Sequence, residues 1–195
     1  MSPVTHFFTG WTLANVLPLG RWDRALVTWS AVVPDVDGLG IVAEMATRHS
    51  SHPLLWFSRY HHSLHNLAFA AIVAGLGFAL AEKKWITTAG CLLGFHLHLL
   101  EDLLGSRGPD GDQWPIPYLA PFSHALQWTW HGQWNLNAWP NFAITLALLG
   151  GGPVLGVAPW LLAGGDVFPK AGPGACDGFA ASFSRQTQND RRLIF

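Results

Sequence analysis

Apolar residues in this chain fall in long blocks, not in alternation with polar ones. From Ser63 to Ala81 nineteen residues pass without Asp, Glu, Lys or Arg, and Glu82-Lys83-Lys84 then interrupts. A second uncharged run of sixteen spans Trp85 to Leu100, and a third of twenty-five spans Asn141 to Gly165. Blocks of this length approach the roughly 20 residues that a bilayer-crossing helix needs. Gly150-Gly-Gly-Pro153 and Pro159 are expected to bend or break the third. Two weaker stretches precede them: Thr5 to Gly20 suits a helix, and Ala25 to Val33 a shorter one that ends before Pro34. No extended alternation bounded by hairpin turns argues for strands. The pattern predicts an all-α, membrane-associated bundle of about five helices, over roughly 4–20, 24–34, 60–82, 85–104 and 141–163.

Residues 105–140 differ, being rich in Gly and Pro, with four Trp between Trp128 and Trp139. Trp is favoured at a membrane–water interface, so this segment is expected at headgroup level, unless its rings fill a core of their own. Beyond Lys170 the composition turns polar, so the domain is expected over 1–168 and a flexible tail over 169–195. The start, Met1-Ser-Pro-Val-Thr-His6, lacks the cationic opening of a secretory signal, so the mature chain is expected to begin there. Composition sharpens the picture. Half of the 195 residues are hydrophobic and 12% are charged, about half the usual share for a soluble domain. A net charge of -1 gives no electrostatic case for nucleic acid. Cys91 and Cys176 lie far apart and form no redox or metal motif.

If the five helices alternate up and down, their ends sort by chemistry. One end collects Arg21, Arg24, Lys83, Lys84, Lys170, Arg185, Arg191 and Arg192, eight of eleven cations, and is predicted to face the cytoplasm. The other collects His6, Asp35, Asp37, His61, His62, His65, His98 and Asp102, which four segments contribute. Pro34-Asp-Val-Asp-Gly38 fails as a calcium loop, because Leu39 and Ala46 stand where oxygen ligands are needed. It suits either a metal corner or a simple Asx turn. On a helix His61 and His65 share a face, as do His62 and His65, but the Glu of a zinc-protease helix is absent after His61. His98 and Asp102 share a face at i, i+4, whereas His96 points about 200° away from His98. An ionisable residue such as Asp102 within so apolar a helix is costly without a partner.

Thr5-His6, Pro34-Asp-Val-Asp37, Tyr60-His-His-Ser-Leu-His-Asn66 and His98-Leu-Leu-Glu-Asp102 occur in that order. The set resembles the YdjM-like family of inner-membrane-associated, metal-dependent hydrolases. The loop from Ser106-Arg-Gly-Pro-Asp-Gly111 through Trp114 to Pro121-Phe-Ser123 is similar to the family's segment after that helix. The resemblance covers about residues 5–140. It implies an α-helical protein of a bacterial or archaeal cytoplasmic membrane with a divalent-metal centre, distantly similar in ligands to zinc-dependent phospholipase C. Many members carry His-Arg in the third motif, where this chain has His61-His62, so which of the two is a ligand stays open.

A mixed His/Asp set favours Zn²⁺ or another first-row ion, and its size allows one or two ions. One of Asp35, Asp37 or Asp102 could then act as a base. Arg107 is a candidate to hold an anionic phosphoryl group. The expected activity is hydrolysis of an ester or phosphoester, with the lipid bilayer as partner and a lipid as one substrate class. Two alternatives remain: a metal-binding membrane protein or regulator without turnover, and a membrane di-iron oxygenase. The oxygenase normally carries repeated His boxes, and this chain has one.

Overall fold

The computed structural model describes residues 1–108, 111 and 113–162, so the expected tail lies outside the described residues. The described chain is all-α, with isolated bridges but no β-strand. Helix α1 (Pro3–Val16) starts where the Ser2 hydroxyl accepts from the Thr5 N–H and Pro3 supplies a preset φ. It stops at Leu17, which Pro18 forces into extended backbone. Helix α2 (Arg21–Ser30) follows, then a 3₁₀ segment (Val33–Leu39), α3 (Gly40–Thr47) and α4 (Trp56–Tyr60). Helices α5 (Leu67–Leu80) and α6 (Lys84–Gly105) form an apolar pair, and α7 runs Trp139–Leu162.

Small residues set the spacing of the helices. A Cβ added at Gly10 of α1 would lie 2.6 Å from the Thr28 carbonyl oxygen of α2. One added at Gly94 of α6 would lie 2.9 Å from Ser30 Oγ. Helix α2 is thus clasped between α1 and α6, with Ala14, Leu19, Val27 and Cys91 as the shared apolar core. Ala70, Phe95, Leu99 and Ile116 form a second core under the loop segment, where Tyr118 stacks on Trp128 at 4.0 Å.

At the start of α6 the cationic turns meet as the sequence predicts. Asp23, fully buried, accepts from the backbone N–H groups of Glu82 and Lys83 at 2.9 and 2.8 Å. The Lys83 ammonium donates to the Pro18 carbonyl at 2.6 Å. The tail cations expected beside them lie outside the described residues.

Several boundaries differ from expectation. The helix expected over 60–82 begins only at Leu67, because the Asn66 side chain accepts from the Phe69 N–H and caps it there. His61 to His65 therefore form a turn, with His62 at φ +74°, and not a helix face. Residues 40–60, where no helix is expected, carry α3 and α4, so the described residues hold seven α-helices in place of about five. Helix α7 continues through Gly150–Pro153. Among the described residues no single helix is long and apolar enough to cross a membrane. The pair Arg21–Ser30 and Val33–Thr47, bent by 51°, reaches that length and apolarity together.

Asp23 gives a prediction of stability against pH. Burial alone would raise its pKa, but the Lys83 and Glu82 N–H groups reverse this and hold it below the ordinary 3.8. The unfolded chain then binds the proton more readily, so the contribution is complete above about pH 4 and fades as pH falls through the lowered folded value. Asp23→Ala is expected to cost about 1–2 kcal/mol at pH 7, the scale of a lost cap. In chemical denaturation the gap to the parent should close below about pH 4.

Candidate metal centre

The close packing of α2 with α6 brings His98 against the end of α2. His98 Nδ1–H donates to the Ala31 carbonyl at 2.8 Å, which leaves Nε2 with a free lone pair. That Nε2 lies 3.1 Å from Asp102 Oδ2, one helical turn on, and 3.0 Å from His65 Nε2 of the 61–65 turn. From the first turn of α1, His6 Nε2 comes within 3.2 Å of Asp102 Oδ1. Asp35, on the 3₁₀ segment, stands farther off, 3.8 Å from both His6 and His98 and 4.0 Å from His65. His6, His65 and His98 are fully buried and Asp102 is 3% exposed.

Two overlapping sets of groups converge closely enough to hold a metal ion. One comprises His6, Asp35, His98 and Asp102; the other comprises His62, His65 and Asp102, with Asp102 common to both. Within each set the ligand atoms lie within 4.8 Å of one another. Ligands around a tetrahedral zinc at 2.0–2.1 Å stand about 3.3 Å apart, close to the His–Asp102 and His98–His65 separations. Two buried atoms of this cluster, Asp35 Oδ2 and His62 Nε2, have no hydrogen-bond partner, and His6 Nε2 meets only carboxylate oxygens, Asp102 at 3.2 Å and Asp35 at 3.8 Å. Each such orphan costs about 1–3 kcal/mol, and a cation bound among these groups would offset that cost.

Outer groups fix the inner ones as they do around metals. Glu101 Oε2 sits 2.6 Å from His6 Nδ1, and Thr9 donates to the other Glu101 oxygen. Asp37 accepts from the Leu64 N–H at 3.0 Å, with His61 Nδ1 at 3.2 Å and His65 Nδ1 at 3.4 Å from its two oxygens. The Met1 ammonium and the Ser106 hydroxyl both donate to Asp102 Oδ1.

Charge follows this geometry. Burial would lower the His6 pKa, but Asp102 and Glu101 raise it to about 9. Burial raises Asp35. Burial works against the Asp37 carboxylate too, yet His61, His65 and the Leu64 N–H hold it well below the usual range. Burial, with His65 and His61 beside it, lowers His62 to about 3 and keeps it neutral, the form a metal binds.

The expected residues thus divide. His6, Asp35, His62, His65, His98 and Asp102 come together. Asp37 and His61 fall outside both sets, because they bond each other and position the turn. Between His61 and His62 the structure favours His62, whose left-handed backbone turns its ring inward. His96 points away, donating to the Leu92 carbonyl and meeting the Tyr118 hydroxyl at 3.0 Å. Arg107 does not reach the cluster. Its guanidinium donates to the His131 carbonyl, and it lines a separate cavity of about 510 Å³ with Ser2 and Asn141. Glu101 and Thr9 were missed, although each lies three residues from an expected ligand on the same helix and helical spacing alone would have found them.

Above His62 opens a cavity of about 690 Å³, within the range of small-molecule sites. Its walls are His61, His62 and Ser63 from the turn, Glu44, Phe57, Ser58 and Arg59 from α3 and α4, and Trp114, Pro117 and His124 from the loop. Phe57 stacks on His61 at 4.7 Å, and Trp114 stands edge-on to His61 and His62 at 5.1 and 5.5 Å.

A metal titration checks the arrangement. Asp102→Asn removes the carboxylate that both sets share, and metal content by elemental analysis should fall to background. Glu101→Gln should weaken binding about 10–100-fold, the scale of an outer partner. His96→Ala should leave metal content unchanged. A metal-replete Asp102→Asn protein would show that the cluster binds no ion.

Comparison with family models, curated proteins and solved structures returns no match for this chain, so its chemistry is argued from the cluster itself.

Proposed function

We propose that this protein is a membrane-associated, metal-dependent hydrolase of an ester or phosphoester, with Zn²⁺ as the ion in one or two positions. The observation that carries the proposal is the convergence of three buried imidazoles and two carboxylates behind His62, which belongs to one ligand set and also lines the 690 Å³ cavity. The resemblance of the four motifs to YdjM-like hydrolases supports it. So does the donor set, since imidazole with carboxylate suits zinc.

His6, His98 and Asp102 would hold one ion, and His62 and His65 with the shared Asp102 a second. A bound ion of this kind supplies Lewis acidity and water with a pKa near 7. Asp35 stands 3.8–4.0 Å from its neighbours, against 3.0–3.2 Å for the tighter contacts, and its Oδ2 has no hydrogen-bond partner. It is the carboxylate best placed to take a proton, while Asp37 is committed to His61, His65 and Leu64. Arg59, on the cavity wall where Arg107 is absent, is placed to meet an anionic phosphoryl group. Trp114 and Phe57 narrow the approach to the turn.

Membrane association draws on the outward apolar faces of α5, α6 and α7, where Ile72, Leu76, Leu93, Phe142 and Leu146 are each at least half exposed. The cationic turns around Arg21 and Lys83 would face the cytoplasm. From Lys84 to Asp102, α6 separates them from the metal cluster by about 27 Å.

The test combines carbonate-resistant sedimentation, elemental analysis and turnover of a panel of soluble phosphoesters and phospholipids. Zinc-dependent turnover is expected, lost at least 100-fold in Asp35→Asn with metal retained. In Arg59→Ala, KM for anionic substrates should rise with little change for neutral esters. Stoichiometric metal with no turnover across the panel would instead make the protein a metal-binding regulator. Iron with oxygen consumption would make it an oxygenase.

A further inference from the structure

Helices α3 and α4 bury none of their residues. They nevertheless form a defined hairpin, and not a loose loop. Glu44 accepts from the Ser58 hydroxyl and N–H at 2.6 and 3.0 Å, and the Thr47 hydroxyl accepts from the Leu54 N–H at 2.9 Å. At Gly40 the two arms touch so closely that a Cβ would lie 2.9 Å from the Phe57 nitrogen. Polar ties and Phe57 occupy the inner side. The outer side carries Leu39, Val42, Met45 and Trp56, exposed at 65, 66, 59 and 52%. Apolar side chains held outward on a tied hairpin are a surface prepared for a partner.

We propose that this hairpin, residues 39–60, seats the protein on an anionic lipid bilayer and brings the mouth of the 690 Å³ cavity to the lipid headgroups. Three observations select a bilayer as the occupant. The first is charge: the hairpin carries Arg48 and Arg59 against one carboxylate, Glu44, whose two oxygens bond Ser58. Cations and Trp around an apolar strip match an interfacial membrane segment. A second copy is disfavoured by the same charge, because self-pairing would set Arg48 and Arg59 against their own counterparts. The second is apolarity: in the bent pair Arg21–Ser30 and Val33–Thr47, which matches a span in length and composition, α2 is held between α1 and α6 and α3 is the exposed arm. The third is continuity, since Glu44, Phe57, Ser58 and Arg59 belong to the hairpin and also line the cavity. A headgroup beside the docked hairpin would have a short path to His62.

The inference deepens the lipid arm of the proposed hydrolase and rests on it for the purpose of docking, but its test reads position separately from turnover. The full chain, with Cys176→Ser and an environment-sensitive fluorophore on Val42→Cys, is incorporated into phosphatidylcholine vesicles with or without phosphatidylglycerol. The label should move to an apolar environment and be quenched by spin-labelled lipid, several-fold more with phosphatidylglycerol. A label on Glu82→Cys should stay in water. Arg48→Glu should remove the anionic preference, and Val42→Asp should lower turnover of vesicle phospholipid at least tenfold with soluble phosphoester turnover unchanged. A Val42 label that stays in water, in protein recovered with the vesicles, overturns the docking. So does protection that grows with protein concentration without lipid, which marks self-association. Docking with metal bound and no turnover supports this inference and removes the hydrolase.

Discussion

Asp102 places a carboxylate where only 3% of the residue meets solvent, and the functional end of the molecule is arranged around that charge. An isolated buried carboxylate costs several kcal/mol, so it survives only with compensation from several directions. Here α1 supplies His6, the 61–65 turn supplies His65, α6 itself supplies His98, and the Met1 ammonium and Ser106 complete the ring. Burial presses the Asp102 pKa upward, but the ammonium, His6 and His98 hold it well below the usual carboxylate range. The charge is therefore maintained, and with it the attraction for a cation.

That requirement explains features that look unrelated in the sequence. Gly10 and Gly94 bring α1 and α6 close to the α2 backbone and Gly90 seats the Val27 side chain, and without that approach His98 could not reach the Ala31 carbonyl. Asn66 stops α5 early, which frees His61–His65 to wrap over the cluster. As a helix, that stretch would present His62 and His65 along a cylinder and could not close on Asp102. The strained backbone at His62 accompanies an inward ring with an unpartnered Nε2, the kind of local strain that concentrates at functional sites.

Much of this was legible from the sequence because it depends on helical periodicity. The His98–Asp102 face, the outward His96 and the joining of the Arg21 and Lys83 turns all follow from 3.6 residues per turn and alternating helix directions. The turn at 61–65 was not legible as such. His at i, i+4 reads as a helix face, and the cap that cancels the helix is one residue, Asn66, inside an otherwise apolar block. Helices α3 and α4 were hidden for a different reason: they bury nothing, so no apolar stripe distinguishes them from a loop. The roles of Asp37 and His61 could not be assigned from types alone. A carboxylate two residues from another offers the same donors whether it meets an ion or orients the imidazole that does.

The distribution of charge along α6 carries a last consequence. Asp23 at one end is met by backbone N–H groups. It caps the backbone of the 82–84 turn, where the Lys83 ammonium donates to the Pro18 carbonyl. About 27 Å away along the same helix the buried Asp102 carboxylate is met instead by imidazoles, with Asp35 beside them. Two ends of one helix in the same apolar bundle face the same cost of desolvation and meet it differently, with backbone N–H groups around Asp23 and imidazoles around Asp102. A buried carboxylate ringed by metal-ligating donors is suited to a cation. The cavity opens onto that end, and the arrangement concentrates both the cost and the chemistry there.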